Sequence, residues 1–357
     1  MNSYERMKLI LEGKKGEIDR IPCACPGVGT YTENLMKEFN AGWPEAHKDP
    51  EKMAILGSAA YEKFGLESVV VPFDAVVEAE ILGMAVDFRE KQLKKGKILW
   101  PGVLRPGFTK DGVEIKEPSD LTIPDDIANS GRVPVITEAL KILHEKYYGE
   151  VPIFVWSMGI FTTLLGYVLD TIQFMMLVRT DPEKVKAFYN AVLDLPIELG
   201  KIYKEAGADY VVYREDGACC DNVSPKDFVD LFKAPISEIF AKSPMEILTM
   251  SGTAGPIMKD CAEVGAKMIV IDEKTDAVKA RESVDSAGTG VALAGNLPTM
   301  SLLKKKNSAD KIDAWVKNII ENAKIDVVSP GCDFFVKTPD ENIEAMVAAT
   351  RKYGQLK

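Results

Sequence analysis

A chain of 357 residues with 46% hydrophobic and 27% charged residues has the composition of an ordinary globular protein, neither disordered nor fibrous. Its formal charge of -10 argues against a nucleic-acid surface, since no dense basic patch offsets the acidic field; Lys91, Lys94, Lys95, Lys97 and the run from Lys304 to Lys306 read as solvated faces. No apolar run reaches the roughly 20 residues that span a bilayer, and Met1-Asn-Ser-Tyr-Glu-Arg lacks a secretory core, so a cytoplasmic location is expected.

In chain order, residues 3–13 read as an amphipathic helix and 21–25 as a first strand. Helices follow at 33–40 and 51–61, then a strand at 67–73. Residues 86–130 are charged, rich in Gly and Pro, and weakly periodic, which suits an insertion covering one rim better than a domain with its own core. Regularity returns with a helix at 134–147 and a strand at 151–156, after which Ser157 opens a largely apolar helix. Five further apolar runs, at 209–214, 245–250, 267–271, 291–295 and 325–330, each stop in a polar or glycine-rich mouth and lead into a helical stretch. Near-continuous apolar runs are the mark of buried parallel strands, and eight of them predict a single (β/α)8 TIM barrel over 1–357 with an N-terminal helical extension and the 86–130 insertion. A doubly wound open sheet is the alternative. No Gly-x-Gly-x-x-Gly or Walker sequence follows any strand, which weakens dinucleotide and nucleotide readings.

In such a barrel the carboxyl ends of the strands carry the chemistry, so Asp216, Ser251, Asp272, Asn296 and Cys332 are the places to look. Asp74 follows an early strand and reads either as a mouth carboxylate or as a helix N-terminal one. Of Glu78 and Glu80, at most one should point inward with it, since i and i+2 do not share a helix face. Glu215-Asp216-Gly-Ala-Cys219-Cys220 offers carboxylates and thiols, but adjacent cysteines diverge, and Cys23 and Cys25 lack further ligands; buried inert thiols are the better reading of both pairs. Six cysteines in a chain this long do not make a disulfide scaffold. Only two histidines exist: His47 reads as structural, and His144, on a charge-rich helix, as solvent-facing.

Arg20-Ile-Pro-Cys, Trp43-Pro-Glu-Ala-His-Lys-Asp-Pro-Glu-Lys-Met, Val71-Pro-Phe-Asp-Ala-Val-Val-Glu-Ala-Glu-Ile-Leu-Gly, Gly295-Asn296 and Ser329-Pro-Gly-Cys-Asp together resemble the uroporphyrinogen decarboxylase superfamily. The similarity is greatest to its branch of methylcobalamin:coenzyme M methyltransferases and related corrinoid-dependent methyltransferases. The resemblance implies a TIM barrel whose mouth faces a tetrapyrrole: a porphyrinogen in decarboxylases, or a corrinoid (cobalamin) carried by a partner corrinoid protein in methyltransferases. It also allows a homodimer, which no single segment specifies. Thiol-methylating members hold zinc with a His-x-Cys at one strand end and a later Cys. Here Thr249 and Ser251 stand at the first two positions and only Cys332 is retained, so zinc is not expected at the family site.

The expected function is therefore corrinoid-dependent methyl transfer with a non-thiol substrate such as an aryl methyl ether. Asp74, Asp216 and Glu215 are the expected catalytic groups, and Thr249, Ser251, Gly252 and Asn296 the expected cofactor-binding ones. A tetrapyrrole decarboxylase is the second reading, weakened because Pro22-Cys-Ala-Cys-Pro-Gly-Val-Gly stands where a basic cluster should grip substrate carboxylates. A non-catalytic corrinoid-handling protein is the third.

Overall fold

Seven parallel strands form one sheet in strict chain order: β1 (Val69–Val71), β2 (Ile153–Met158), β3 (Tyr210–Glu215), β4 (Met245–Met250), β5 (Met268–Ile271), β6 (Ala292–Leu297) and β7 (Val327–Pro330). The computed structural model describes residues 1–304 and 308–356. Every residue of β2, β3, β5, β6 and β7 is buried, as strands covered on both faces must be. The sequential order has no reversal, which removes the doubly wound alternative.

The eighth strand is a correction to the sequence expectation. The run 21–25 makes only a single parallel bridge, Cys23 to Val328, and the sheet curls into an open half-barrel rather than a closed eight-stranded barrel. The cause is local. Pro22 and Pro26 leave three consecutive N–H groups between them, and two are taken by side chains: Cys23 N donates to Glu67 Oε1 at 3.1 Å and Cys25 N to Ser68 Oγ at 3.0 Å. Only Ala24 N reaches a β7 carbonyl, that of Val328, at 3.0 Å, so no ladder propagates.

The helix Pro50–Phe64 shows how the outer layer is built. Asp49 accepts from Glu51 N and Lys52 N at 2.9 and 3.1 Å, a cap worth about 1 kcal/mol. Pro50 occupies the first turn, where its missing donor is harmless. The helix buries Met53, Leu56, Ala60 and Phe64 and lies so close to β1 that a methyl group at Gly57 would sit 2.8 Å from Val71 Cγ1. Glycine there permits the contact.

The insertion holds a two-stranded antiparallel ribbon, Val86–Asp87 with Gly102–Val103, and short helical turns. It is pinned to the segment after β2 by Gly107 N donating to Val168 O at 2.8 Å. Lys91, Lys94, Lys95 and Lys97 are exposed as expected, whereas Lys305 and Lys306 lie outside the described residues. His144 departs from expectation: it is half-buried, with Nδ1 3.1 Å from Gly207 O and its ring 4.5 Å from that of Tyr148. Among the described residues no helix is long and apolar enough to cross a membrane.

Candidate active site

Parallel strands place all their carboxyl ends on one side, and two buried arginine–carboxylate sets meet there. Strand β3 runs through Arg214 and Glu215 into Asp216. Successive side chains face opposite ways, so Arg214 and Asp216 share one side and Glu215 takes the other. Arg214, 4% exposed, donates Nη1 and Nη2 to Asp333 Oδ1 and Oδ2 at 2.7 and 3.0 Å, and Nε to Asp216 Oδ2 at 2.9 Å. Ser251 Oγ donates to the other Asp216 oxygen at 2.6 Å. Cys332 Sγ lies 3.7 Å from Arg214 Nη2. Burial pulls the guanidinium pKa down, but Asp216 and Asp333 outweigh it and hold it well above its ordinary value. Burial and the Asp333 charge push the Cys332 thiol up to about 12 against the pull of Arg214, so Cys332 is a neutral thiol at pH 7.

The second set centres on Arg132, which donates Nη1 and Nη2 to Asp74 Oδ2 and Oδ1 at 2.7 and 2.9 Å and Nε to Glu80 Oε2 at 2.7 Å. His47 Nδ1 lies 2.8 Å from Asp74 Oδ2. Burial would raise Asp74, but Arg132, then His47, hold it far below the usual carboxylate range. Burial in turn lowers His47, against the pull of Asp74. The indole of Trp156 links the sets: its Nε1 donates to Asp74 O at 3.4 Å, and Arg214 Cζ sits 5.2 Å from its ring centre. Tyr31 packs nearby against Trp43, Phe73 and Trp100 at 4.8, 5.6 and 6.2 Å between ring centres. Tyr167 is half-buried; burial, then the Asp216 charge, push its phenol up to about 12, and Arg214, Asp74 and Asp333 act on it too.

The structure thus brings Asp216 and Ser251 together and joins Cys332 to them through Arg214. Thr249, 1% exposed, pairs with Arg214 in the β3–β4 register, and its buried hydroxyl has no hydrogen-bond partner. Gly27 lies over it: a methyl group there would be 3.1 Å from Thr249 Oγ1 and 2.5 Å from Val212 Cγ1. Other expected residues are committed elsewhere. Glu215 accepts from Phe161 N, Thr162 N, Gly217 N and Ala218 N at 3.0–3.2 Å and from Thr162 Oγ1, which makes it a clasp between two loops. Asn296 spends its Nδ2 on the carbonyls of Asp272 and Thr275 at 3.1 and 2.8 Å, and Asp272 Oδ1 accepts from Lys274 N at 2.8 Å in a local turn. Gly252 faces Cys219 and Asp221. Glu80 rather than Glu78 shares the arginine of Asp74, while Glu78 is buried, accepting from Ser157 Oγ and Met158 N at 2.9 Å each.

Glu78 and Glu215 supply a pH test. Burial pushes each up to about 7 against the hydrogen bonds that lower them. Between an unfolded value near 4.5 and this folded value the native state holds protons that the unfolded chain has lost. Stability is therefore fully present below the unfolded value and is lost as pH rises toward about 7, by up to about 1.4 kcal/mol per pH unit for each group. Glu78→Gln should make the fall in urea midpoint between pH 5 and 7 shallower, while Glu215, and Asp209, which burial also raises, keep part of it. An unchanged slope would show that Glu78 does not titrate there.

A model of the uroporphyrinogen decarboxylase (URO-D) family matches residues 3–353. The chain belongs to this family. It falls in the methyltransferase branch: the methylcobamide:CoM methyltransferase MtaA of Methanosarcina barkeri is 32% identical over 98% of this chain and 97% of its own. The methylated-thiol–coenzyme M methyltransferase of Methanosarcina mazei is 28% identical over 94% and 86%. A solved methyltransferase from Methanosarcina mazei superimposes with a TM-score of 0.85 at 28% identity, covering 99% of each chain.

The zinc triad implied by the resemblance falls on Thr249, Ser251 and Cys332, and these residues do not fit zinc. Two offer neutral hydroxyls, one already bonded to Asp216, and the third is a lone thiol 3.7 Å from a guanidinium nitrogen, whereas zinc binds several thiolate and imidazole ligands. Among the described residues no group of three or more His, Cys, Asp or Glu is placed to hold a metal ion.

Two groups central to the site were not singled out from sequence. Asp333 carried a signal, being the neighbour of Cys332 at a strand end. Arg132 carried none, because it reaches Asp74 from the far end of the insertion.

Proposed function

We infer that this chain is a corrinoid-dependent methyltransferase, moving a methyl group between a small non-thiol substrate and the cobalt of a corrinoid presented by a partner protein. The branch membership supports methyl transfer to or from a corrinoid. The observation that carries the non-thiol reading is the Arg214–Asp216–Asp333 set standing beside Cys332, where a thiol-activating metal would have to sit. Without a metal to lower its pKa, a thiol substrate stays protonated and a poor nucleophile.

In this reading the corrinoid is a substrate, and the chain holds the small molecule in line with it; placement of two reactants otherwise joined only by collision supplies much of the rate. Asp216 is the residue offered to substrate, since its side chain is 24% exposed while Asp333 and Arg214 are each 5% exposed. Asp74 and Glu215 act as positioning residues behind it, and Thr249 and Ser251 line the face toward the corrinoid, with Gly252 and Asn296 shaping the loops. We read the whole chain as one functional unit, with the insertion on its rim; a homodimer is compatible with this reading.

Porphyrinogen decarboxylation would need free guanidinium groups for several substrate carboxylates. Arg20 instead donates to Glu67 Oε1 at 2.6 Å just before β1, away from the strand carboxyl ends, and both mouth arginines are saturated by the chain's own carboxylates. The test is to mix purified protein with methylcobalamin, and separately with cob(I)alamin plus aryl methyl ethers, methylamines and thiols, following cobalt absorbance. A spectral change with a non-thiol donor or acceptor is expected. Turnover with thiols alone would overturn the non-thiol reading, and corrinoid binding without turnover would favour a handling role.

A further inference from the structure

Between the two strands of the insertion's ribbon, Val86–Asp87 and Gly102–Val103, the chain makes a closed excursion over residues 88–101. Arg89, Lys91, Lys94, Lys95 and Lys97 against Glu90 give it a formal charge of +4 in a chain whose total is -10, so the remainder carries -14. Arg89 is paired with Asp87 and Glu90 with Lys48. Lys91, Lys94, Lys95 and Lys97 are exposed and, among the described residues, have no carboxylate within ion-pair distance. Next to them in the chain, Leu99, Trp100 and Leu104 are 46%, 43% and 64% exposed. Single exposed apolar residues are ordinary on a surface; three so close together, one a tryptophan, beside unpaired cations have the make-up of a binding face, an apolar centre with a charged rim. Both ends of the excursion are anchored at the mouth. Arg132 Cζ sits 5.0 Å from the Phe88 ring centre and the His47 ring 6.1 Å from it. Trp100 meets Tyr31 edge-on at 6.2 Å between ring centres, and Tyr31 lies close to Gly29, whose N–H donates to Asp333.

We propose that this lip is the docking surface for an acidic face of the protein that presents the corrinoid, with Trp100 and Leu104 as apolar anchors and the four lysines steering the approach. The proposal rests on the methyltransferase reading above and adds the place and the chemistry of the partner's contact. Charge selects the orientation. An acidic partner is repelled by the net field of the remainder and attracted by the lip, so the asymmetry turns the partner toward the mouth as well as drawing it in. Because the lip ends on Tyr31 and beside Arg132, a partner seated there brings its corrinoid over the strand carboxyl ends, where Asp216 stands. A second copy of this chain, docked lip to lip across a two-fold axis, would set four lysines against four lysines. A nucleic acid or an anionic bilayer extends past so small a patch and meets the acidic remainder within a screening length.

The test is calorimetric titration of the full chain with each corrinoid-carrying protein purified from the source cells by its cobalt absorbance, beside the free-cobalamin assay described above. One of them should bind, and raising salt from about 50 to about 300 mM should weaken it at least about tenfold. Lys94→Glu, Lys95→Glu and Lys97→Glu together should weaken it at least about 30-fold, and Leu104→Ser about fivefold, while turnover of free cobalamin stays within about twofold of wild type, since it needs no protein contact. Should a variant fold poorly, the salt dependence of the wild type still decides. Binding that neither salt nor charge reversal moves overturns the proposal, as does an equal loss of free-cobalamin turnover in the reversed variant. A reversal that abolishes self-association, or binding to anionic vesicles or duplex DNA, and leaves the corrinoid protein's affinity unchanged assigns the lip to that occupant and overturns it too. Turnover of free cobalamin with no corrinoid protein bound removes the dock and leaves methyl transfer intact, whereas silence in both measurements sinks the methyltransferase reading itself.

Discussion

Asp216→Ala should lower methyl transfer by about 100-fold or more while changing stability by less than about 1 kcal/mol, and Asp333→Ala should do nearly the reverse, costing about 3–5 kcal/mol of stability. The difference follows from where each carboxylate sits. Asp333 is bidentate to Arg214 with both side chains 5% exposed, and it also accepts from Gly29 N. Its loss leaves a buried guanidinium half-paired and removes one of two hydrogen bonds between Gly29 and the loop after β7, the other being Phe334 N to Gly29 O at 3.0 Å. Asp216 touches the same arginine through Nε alone, at a side chain 24% exposed, so water can replace it. What water cannot replace is a fixed negative charge, held by Arg214 and Ser251, at the place proposed for the substrate. Urea denaturation and the cobalt absorbance assay on both variants separate the outcomes. Equal losses of stability and activity for Asp216→Ala would remove its proposed role at the reaction centre.

The contrast between these neighbours shows what could be read from sequence and what could not. Strand order, the buried apolar runs and the alignment of polar strand ends were legible because parallel strands need continuous apolar sequence and deliver their carboxyl ends to one side. That logic brought Asp216, Ser251 and Cys332 to one place. Parity along β3 also held the information that Glu215 faces away from Arg214 and Asp216, although Glu215 was expected to join them in catalysis. Eight apolar runs suggested eight strands, but 21–25 forms no ladder because Glu67 and Ser68 side chains take the donors that a neighbouring strand would use. Arg132 was illegible for a different reason. It lies 58 residues from Asp74, at the end of an insertion without periodicity, and only the fold brings the two together. His144, too, was assigned by the charge of its helix, whereas the carbonyl that holds it comes from Gly207.

Rebuilding the family triad tests why this chain departs from its thiol-methylating relatives. The double variant Thr249→His, Ser251→Cys restores the three ligand types with Cys332, yet it should not gain tight zinc binding. Arg214 Nη2, 3.7 Å from Cys332 Sγ, would face a divalent cation at about 5 Å, a repulsion of about 7 kcal/mol at an effective dielectric constant near 20. Asp216 and Asp333 carry the opposite charge, but both are bonded to this guanidinium, which keeps them from coordinating the metal themselves. Adding Arg214→Leu removes the competing cation and leaves two carboxylates that a metal ion would neutralise. The triple variant should therefore take up one zinc per chain at least about 100-fold more tightly than the double variant, a gap of about 3 kcal/mol, measured by competition with a chromophoric chelator. The imidazole must also fit beneath Gly27, whose backbone crowds position 249, so the variant carrying only Arg214→Leu and Ser251→Cys, lacking the new ring, serves as the control for space. If the double variant binds zinc as tightly as the triple, Arg214 is not what keeps the metal out, and the loss of ligands at Thr249 and Ser251 alone accounts for the change in chemistry. If only the triple binds, the guanidinium occupies the electrostatic place of the metal, and the carboxylates around it belong to a site built on a different charge balance.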